Sequence, residues 1–189
     1  MSSTNFDCRE TLLAGCYIVQ PQAVEDARGR FIKVFHAETF AAIGLPTEFP
    51  EVFYSVSQRN VVRGLHFQTP PAEQGKLVHC TAGRILDAVI DLRVGSPTQG
   101  RHILLELDAE TAHLLYIPPG IAHGFRTLSD SATVVYHATH AHVPACDHGI
   151  LWNSAGIDWG ITDPLLSERD RLHPRFADFA SPFRYGVLD

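Results

Sequence analysis

The 189-residue sequence predicts an all-β fold, an antiparallel sandwich or barrel with short helices at its periphery. Short runs of β-branched and aromatic residues recur along the chain, and turn residues separate them. Hydrophobic residues make up 45% and charged residues 19%, a balance typical of a globular rather than a disordered chain. No repeat or low-complexity linker divides the sequence, so we expect a single domain over residues 1–189.

Eight strands are predicted from the runs that combine high β-propensity with flanking turn residues. Diproline and glycine-containing segments, such as residues 70–71 and 118–120, mark turns between them. The predicted strands cover residues 17–19, 31–35, 52–56, 76–80, 85–91, 102–107, 114–117 and 133–137.

Two short helices are predicted outside the strands. In residues 36–44, Phe40 and Ile43 share one helical face, and Gly44 is a typical helix C-terminal stop. A second helix is expected after Leu166, because Ser167 and Asp170 have the spacing of an N-terminal capping box.

Charge and cysteine content limit the partners. A net charge of −6 with 11 histidines disfavours nucleic acid and anionic membranes, so an anionic ligand needs a local cluster of Lys, Arg and His. The four cysteines form no CxxC pair and are expected as free thiols in a reducing cytosol. Neither a signal-peptide pattern nor a membrane-length apolar run is found, which predicts a cytoplasmic protein.

The densest group of chemically active residues lies in residues 63–78, RGLHFQTPPAEQGKLV. Around one sharp diproline turn it brings together four polar side chains, those of Arg63, His66, Gln68 and Lys76. Residues three apart on a strand point to opposite faces, so Arg63 and His66 converge only if the strand bends or bulges.

A second group, YIPPGIAHGF at residues 116–125, turns tightly at Pro118 and returns His123 on the next strand. The P-x-G-x-x-H spacing resembles the second half of the cupin barrel signature. Metal-binding cupins often use an H-x-H pair in the first motif, whereas Gln68 stands here in place of the second imidazole. We therefore expect no metal and no other cofactor.

The order of motifs along residues 17–174 resembles the dTDP-4-dehydrorhamnose 3,5-epimerase family. Any one motif could be accidental, but nine in the same order are specific. They are D-x-RG-x-F, S-x-S, RGLHFQ, PP-x-x-QGKLV, G-x-I-x-D, DLR-x-GSPT-x-G, IP-x-G-x-AHGF, GI-x-W-N and LS-x-RD. The resemblance implies a cupin-type antiparallel β-barrel, or jelly roll.

The resemblance also implies a reaction. The substrate would be a nucleoside-diphosphate 4-keto-6-deoxyhexose, used in deoxysugar and polysaccharide biosynthesis, whose C4 ketone acidifies the hydrogens at C3 and C5. By position, His66 matches the catalytic base and Asp170 the carboxylate that orients it. Tyr136 matches the acid on the opposite face, and Lys76 the cation beside the enolate oxygen.

Further residues match substrate-binding positions of the family. Arg63 and His123 match groups that meet the sugar and diphosphate, and Arg28 matches a phosphate contact from an exchanged N-terminal segment of a homodimer. The motifs also place Ser55 and Gln68 among the candidate binding residues.

The sequence departs from the family pattern in three places. Lys33 replaces a glutamate, and Glu51, Val52 and Phe53 replace Q-D-N, where the family recognises the base. Because a lysine only donates, it cannot accept the N3 hydrogen of thymine, whereas Lys33 with Glu51 suits cytosine. The sequence therefore favours a nucleotide base other than thymine. Cytosine is preferred, and guanine is the second choice.

The third departure, His142 in place of a second tyrosine, bears on whether C3, C5 or both are inverted. An alternative function is therefore that of a CDP-sugar epimerase that inverts only C3 or only C5. Three other readings also remain: a 4-keto-sugar ketoisomerase, a metal-dependent cupin oxygenase and a non-catalytic nucleotide-sugar-binding cupin. Retention of both His66 and Tyr136 favours epimerisation.

Overall fold

A computed structural model describes residues 6–186 as thirteen strands and two short α-helices. The helices are α1 (Ala37–Ala42) and α2 (Glu168–Leu172), with single 3₁₀ turns at Pro144–Cys146 and Phe176–Asp178. The strands are β1 (Phe6–Glu10), β2 (Tyr17–Pro21), β3 (Ala23–Asp26), β4 (Gly29–Ile32), β5 (Glu51–Gln58), β6 (Val62–Gln68), β7 (Lys76–Ala82), β8 (Arg84–Asp91), β9 (His102–Asp108), β10 (Leu114–Ile117), β11 (Ile121–Thr127), β12 (Ser131–Ala138) and β13 (Asp147–Gly149).

Two antiparallel sheets form the body of the fold. One has the strand order β1-β2-β10-β7-β12-β5, and the other has β13-β6-β11-β8-β9. Strands β3 and β4 form a separate hairpin. The main core lies between the sheets and draws on both, with Val78 and Val134 from the first and Val89 and Phe125 from the second. The all-β prediction and its cupin jelly-roll form are confirmed.

The predicted strands all correspond to strands in the structure, but their ends differ. The largest error is at residues 31–35, where β4 stops at Ile32. Five strands were not predicted: β1, β3, β6, β11 and β13. Two of these, β6 and β11, contain Gly64 and Gly124, and glycine weakens the local β signal in a sequence.

Both predicted helices are present. After α1, Gly44 has φ of +75°, a left-handed conformation that glycine adopts without a Cβ clash. At the start of α2, the Ser167 hydroxyl accepts a hydrogen bond of 3.1 Å from the Asp170 backbone N–H. No helix among residues 6–186 is long and apolar enough to cross a membrane.

The outer faces of the two sheets are covered by different parts of the chain. Buried residues that follow β13, including Trp152, Trp159 and Phe183, pack in one cluster with β6 and β8. On the other sheet, Phe40 of α1 packs with Leu77 and Leu114. Strand β5, at the edge of this sheet, keeps exposed apolar side chains, which leaves one part of the surface without a cover.

Candidate active site

A cleft with two adjoining chambers lies where β6 and β11 of one sheet face β12 and β5 of the other. The inner chamber, a cavity of about 200 Å³, is lined by Phe53, Ser55, Arg63, His66, Lys76, His123, Gly124, Phe125 and Tyr136. The outer chamber, of about 280 Å³, shares Phe53, His66 and Lys76 with it. Its other lining residues are Glu51, Phe67, Gln68, Gln74, His142, Asp147 and Arg169.

Strand β6 has the bulge that the spacing of Arg63 and His66 requires. His66 pairs with His123 and Arg63 pairs with Phe125, so three steps on β6 oppose two on β11. The backbones approach closely here, since a Cβ added to Gly64 would lie 2.6 Å from the Cα of Gly124. Arg63 and His66 therefore line the same chamber.

His66 and Asp170 form a hydrogen-bonded pair. The distance from His66 Nε2 to Asp170 Oδ1 is 2.5 Å, and the Asp170 side chain is only 5% exposed. Burial alone would raise the pKa of Asp170, but its contacts with His173 and His66 lower that pKa well below its ordinary value. Burial lowers the pKa of His66 despite the opposing effect of Asp170, so the imidazole is neutral at neutral pH. Its Nδ1 remains to accept a proton.

Tyr136 lies on β12, in the sheet opposite His66, and is 8% exposed. Its ring stacks on Phe53 of β5 with centroids 4.8 Å apart and an interplanar angle of 12°. Burial raises the pKa of the Tyr136 phenol, although the Ser55 hydroxyl acts in the other direction. The phenol is thus protonated at neutral pH and can supply a proton.

Lys76 begins β7 and lines both chambers. It is only partly exposed, and burial lowers its pKa to about 8. Asp147 opposes this decrease, and Arg169 adds to it. Lys76 is therefore a partly desolvated cation rather than a freely solvated surface lysine.

His123 forms a second histidine–aspartate pair, this time within one sheet. Its Nε2 lies 2.7 Å from Oδ2 of Asp87 on the neighbouring strand β8. The two side chains are 4% and 0% exposed, respectively. The His123 ring also meets Tyr136 edge-on, with centroids 5.9 Å apart.

The remaining predicted residues of the inner chamber are held by short contacts. Arg63 donates a hydrogen bond of 2.9 Å from Nε to the buried Ser57 hydroxyl. That contact uses one of the five N–H donors of the guanidinium. Ser55, two residues before Ser57 on β5, contributes its hydroxyl to the same wall.

The outer chamber contains a network of charged groups. Glu51 Oε2 accepts a hydrogen bond of 2.5 Å from the backbone N–H of His142. The His142 ring lies 3.1 Å from Asp147 Oδ2, which also accepts a bond of 2.7 Å from Arg169. Two sequence-predicted residues, Glu51 and His142, thus lie together, although 91 positions separate them.

Gln68 lines the outer chamber, but its amide is occupied by the backbone. Its nitrogen donates to the carbonyls of Ala72 and Ala141, and its oxygen accepts a 2.6 Å bond from the N–H of Val143. These bonds hold the diproline turn and the loop after β12 against β6. In this arrangement Gln68 shapes the chamber wall.

Two predicted binding residues, Arg28 and Lys33, do not line either chamber within one chain. Arg28 lies at the tip of the β3–β4 hairpin, where its side chain is 90% exposed and pairs with Asp26. Lys33 directly follows β4. Their place beside a ligand would require a second copy of the chain.

Among residues 6–186, a single group of three side chains has metal-ligand atoms within 4.8 Å of one another: His66, Asp170 and His173. Two imidazoles and one carboxylate are a donor set that suits Zn²⁺ or Fe²⁺. His66 and Asp170 are, however, already joined to each other by a hydrogen bond.

The sequence analysis missed four polar residues at the cleft: Asp147, Arg169 and Gln74, which line the outer chamber, and Asp87, which lies behind the wall and binds His123. Asp87 could have been identified from the sequence, because a carboxylate within the apolar strand β8 needs a buried polar partner. The other three lie in loops or at element ends, where charged residues are common. Only the fold shows that they meet.

Comparison with known proteins identifies the family of the chain. The model of the dTDP-4-dehydrorhamnose 3,5-epimerase family matches residues 10–178. A dTDP-4-dehydrorhamnose 3,5-epimerase from Shigella flexneri is 39% identical over 172 residues, covering 89% of this chain and 95% of the relative. One from Pseudomonas aeruginosa is 42% identical over 165 residues, covering 85% and 91%.

Solved structures agree with these relatives. A dTDP-6-deoxy-D-glucose-3,5-epimerase from Legionella pneumophila, in complex with dTDP-4-keto-L-rhamnose, has a TM-score of 0.91 at 31% identity, covering 97% of this chain and all of the other. A 4-keto-6-deoxy sugar epimerase of the novobiocin gene cluster of Streptomyces spheroides has a TM-score of 0.87 at 37% identity, covering 93% and 90%. The fold, the cleft and these similarities together show that the chain belongs to the dTDP-4-dehydrorhamnose 3,5-epimerase family of isomerases.

Proposed function

We propose that this protein epimerises a nucleoside-diphosphate 4-keto-6-deoxyhexose at C3, C5 or both. One observation carries the proposal: His66 and Tyr136 come from opposite sheets and line the same chamber. A sugar ring bound between them has a proton acceptor towards one face and a proton donor towards the other. Inversion of a carbon centre needs this arrangement.

The reaction proceeds through an enolate. His66 removes the hydrogen beside the C4 ketone as a proton, and the electron pair of the C–H bond moves towards the ketone oxygen. Lys76, a cation in a partly desolvated site, stabilises the negative oxygen. Tyr136 then returns a proton to the carbon from the opposite face, and the C4 ketone re-forms.

The charges of the cleft suit a diphosphate. The chain has a net charge of −6, yet Arg63 and Lys76 line the inner chamber, whose lining residues include no carboxylate. In the outer chamber, the cation of Arg169 is paired with Asp147. A local group of cations can bind phosphate oxygens even when the whole molecule is acidic. His123 and Phe53 complete the wall that would meet the sugar.

We infer that the working protein is a homodimer in which the β3–β4 hairpin reaches the partner's cleft. Strand β5 is a sheet edge, and its outward side chains Val52, Tyr54 and Val56 are 56–69% exposed. Phe31 of the hairpin is 63% exposed, beside the extended Arg28. A second copy covering both apolar surfaces would bring Arg28 and Lys33 to the substrate.

Sedimentation velocity tests the dimer. We expect the wild type to sediment as a dimer, and Tyr54→Glu with Val56→Glu to sediment as a monomer with weaker ligand binding. Arg28→Ala should remain dimeric but bind nucleoside diphosphates less tightly. A wild-type monomer that retains full activity would contradict the inference.

We propose further that the base of the substrate is not thymine. Glu51 lies in the outer chamber and supplies acceptor oxygens there, which suits the N4 amine of cytosine. Competitive binding of CDP and dTDP measures the preference directly. Tighter binding of dTDP would overturn this part of the proposal and leave the epimerase proposal intact.

A cytoplasmic location is also proposed. All four cysteines, Cys8, Cys16, Cys80 and Cys146, are free thiols. Free thiols are typical of a reducing compartment.

Solvent deuterium incorporation, read by mass spectrometry, tests the reaction itself. CDP- and dTDP-4-keto-6-deoxyglucose are offered in parallel to the purified protein. Two enzyme-dependent deuterons indicate proton removal at both C3 and C5, and one indicates a single-centre epimerase. A moved carbonyl indicates a ketoisomerase, and binding without exchange indicates a non-catalytic nucleotide-sugar-binding protein.

A further inference from the structure

A second imidazole, that of His173, faces the same carboxylate oxygen of Asp170 as the proposed base, and its ring meets the His66 ring edge-on with centroids 5.6 Å apart. His66 Nε2 is 2.5 Å from Asp170 Oδ1, and His173 Nε2 is 3.5 Å from the same oxygen. The His173 side chain is 10% exposed. One buried carboxylate oxygen therefore faces two histidines.

The local backbone fixes the His173 ring in this place. The ring packs against Gly149 of β13, where an added Cβ would collide with three ring atoms. Gly149 pairs with His66 in the β13–β6 register. Just beyond the ring, the Pro174 carbonyl accepts a 2.8 Å hydrogen bond from Leu151 N–H. His173 is thus held by the same pair of strands that carries His66.

The Nε2 atom of His173 is buried and makes no hydrogen bond with any other described residue. Buried polar atoms normally have a partner, and the only carboxylate oxygen facing this nitrogen is Asp170 Oδ1. A separation of 3.5 Å is long for a hydrogen bond. Hydrogen bonds of catalytic groups are often long in the free enzyme and tighten when the substrate binds.

We propose that His173 is a positioning residue, which holds the Asp170 carboxylate so that His66 keeps the orientation and tautomer needed for proton removal. This inference rests on the proposed role of His66 as the base. A carboxylate only accepts hydrogen bonds, so the His66 nitrogen facing it carries the hydrogen, and Nδ1 takes the substrate proton. His173 adds a second donor to the same oxygen.

The shared oxygen also has an electrostatic consequence. A donor from His173 draws negative charge away from His66, so removing that donor strengthens the Asp170–His66 interaction and raises the pKa of His66. The other charged groups around this row are Lys76 from β7, Arg169 from α2 and Asp147 from β13. All three remain in place in variants of His173.

The experiment compares His173→Leu, which keeps the volume without a donor, with His173→Gln, whose amide can donate from nearly the same position. We expect His173→Leu to lower kcat for deuterium exchange about tenfold with KM unchanged. The loss of a residue that orients a metal-binding side chain has an effect of similar size. The acidic limb of the pH–rate profile of His173→Leu should move to higher pH. His173→Gln should recover most of the lost kcat, and His148→Leu, at an exposed site on β13, is the matched control.

Wild-type kcat and an unmoved acidic limb in His173→Leu would overturn the inference, and so would a glutamine variant as slow as the leucine variant. If the leucine variant does not fold, His173→Asn replaces it, because its amide is too short to reach Asp170. Titration of the His66 imidazole by NMR needs no substrate, and an unchanged His66 pKa in the variant also counts against the inference. Failure of the wild type to exchange any substrate would instead count against the proposed function.

Discussion

Two of the histidine–aspartate pairs of the cleft, His66–Asp170 and His123–Asp87, differ mainly in their access to solvent and ligand. His66 is 29% exposed at the side chain and lines both chambers, whereas His123 is 4% exposed and lines only the inner one. Their hydrogen-bond distances are similar, at 2.5 Å and 2.7 Å. The same chemical pair can therefore serve as a proton-transfer group or as a fixed part of the wall, according to its surroundings.

The pairs also differ in how the chain assembles them. Asp87 comes from the strand next to His123, so regular strand pairing brings the two together. Asp170 is 104 residues from His66 and is carried by α2. The proposed catalytic pair thus depends on the docking of a short helix, while the His123 pair depends on the sheet alone.

The largest expected effect is the loss of the proposed base. His66→Asn should lower deuterium incorporation about 10⁴-fold, because the amide cannot accept the proton. The measurement is enzyme-dependent exchange in D₂O, with His148→Asn as the control. Retention of a tenth of wild-type exchange would assign proton removal to another residue.

Loss of the proposed acid should have a smaller and different effect. Tyr136→Phe should lower the rate of inversion about 10³-fold, while exchange on the His66 side continues with retained configuration. NMR of the product sugar separates the two outcomes. Tyr185→Phe, at an exposed tyrosine that lines neither chamber, should behave as the wild type. Equal loss of exchange and inversion in Tyr136→Phe would contradict the assignment.

Replacing each aspartate by asparagine compares the pairs directly. Asp170→Asn should lower kcat about 10²-fold, because the amide no longer fixes the tautomer of His66. Asp87→Asn, in a fully buried pair, should lower the free energy of unfolding by about 2 kcal/mol. Urea unfolding and deuterium incorporation are measured on both variants. If Asp87→Asn lowers kcat and Asp170→Asn lowers stability instead, the roles assigned to the two pairs are wrong.

The smallest expected effect is a change in pH dependence. Because the pKa of Lys76 is lowered to about 8, its cation is lost as the pH rises through that value, and kcat/KM should fall there. Lys76→Arg keeps its charge at high pH, so this basic limb should disappear in the variant. A limb that stays near pH 8 in Lys76→Arg would indicate another group.

Much of this architecture could be predicted from the sequence. All eight predicted strands exist, and the motif carrying His66 and Lys76 does lie at the cleft. Strands β6 and β11 were missed because glycines interrupt their local pattern, although tertiary pairing holds them in the sheet.

The charged residues of the outer chamber were harder to predict. Asp147 and Arg169 meet only because β13 and α2 are brought together by the fold. The opposite case is Gln68, predicted as a binding residue, whose amide is held by backbone groups distant in sequence. Long-range hydrogen bonds of this kind leave no local pattern in a sequence.

The close approach of Gly64 and Gly124 has a consequence for the tolerance of the chain to mutation. An added Cβ at Gly124 would lie 2.6 Å from the Arg63 carbonyl oxygen, and Gly64 also has φ of +118°. Even alanine at either position would push apart the strands that carry His66 and His123. In a saturation-mutagenesis map, these two chemically inert positions should be as intolerant as the residues proposed to transfer protons.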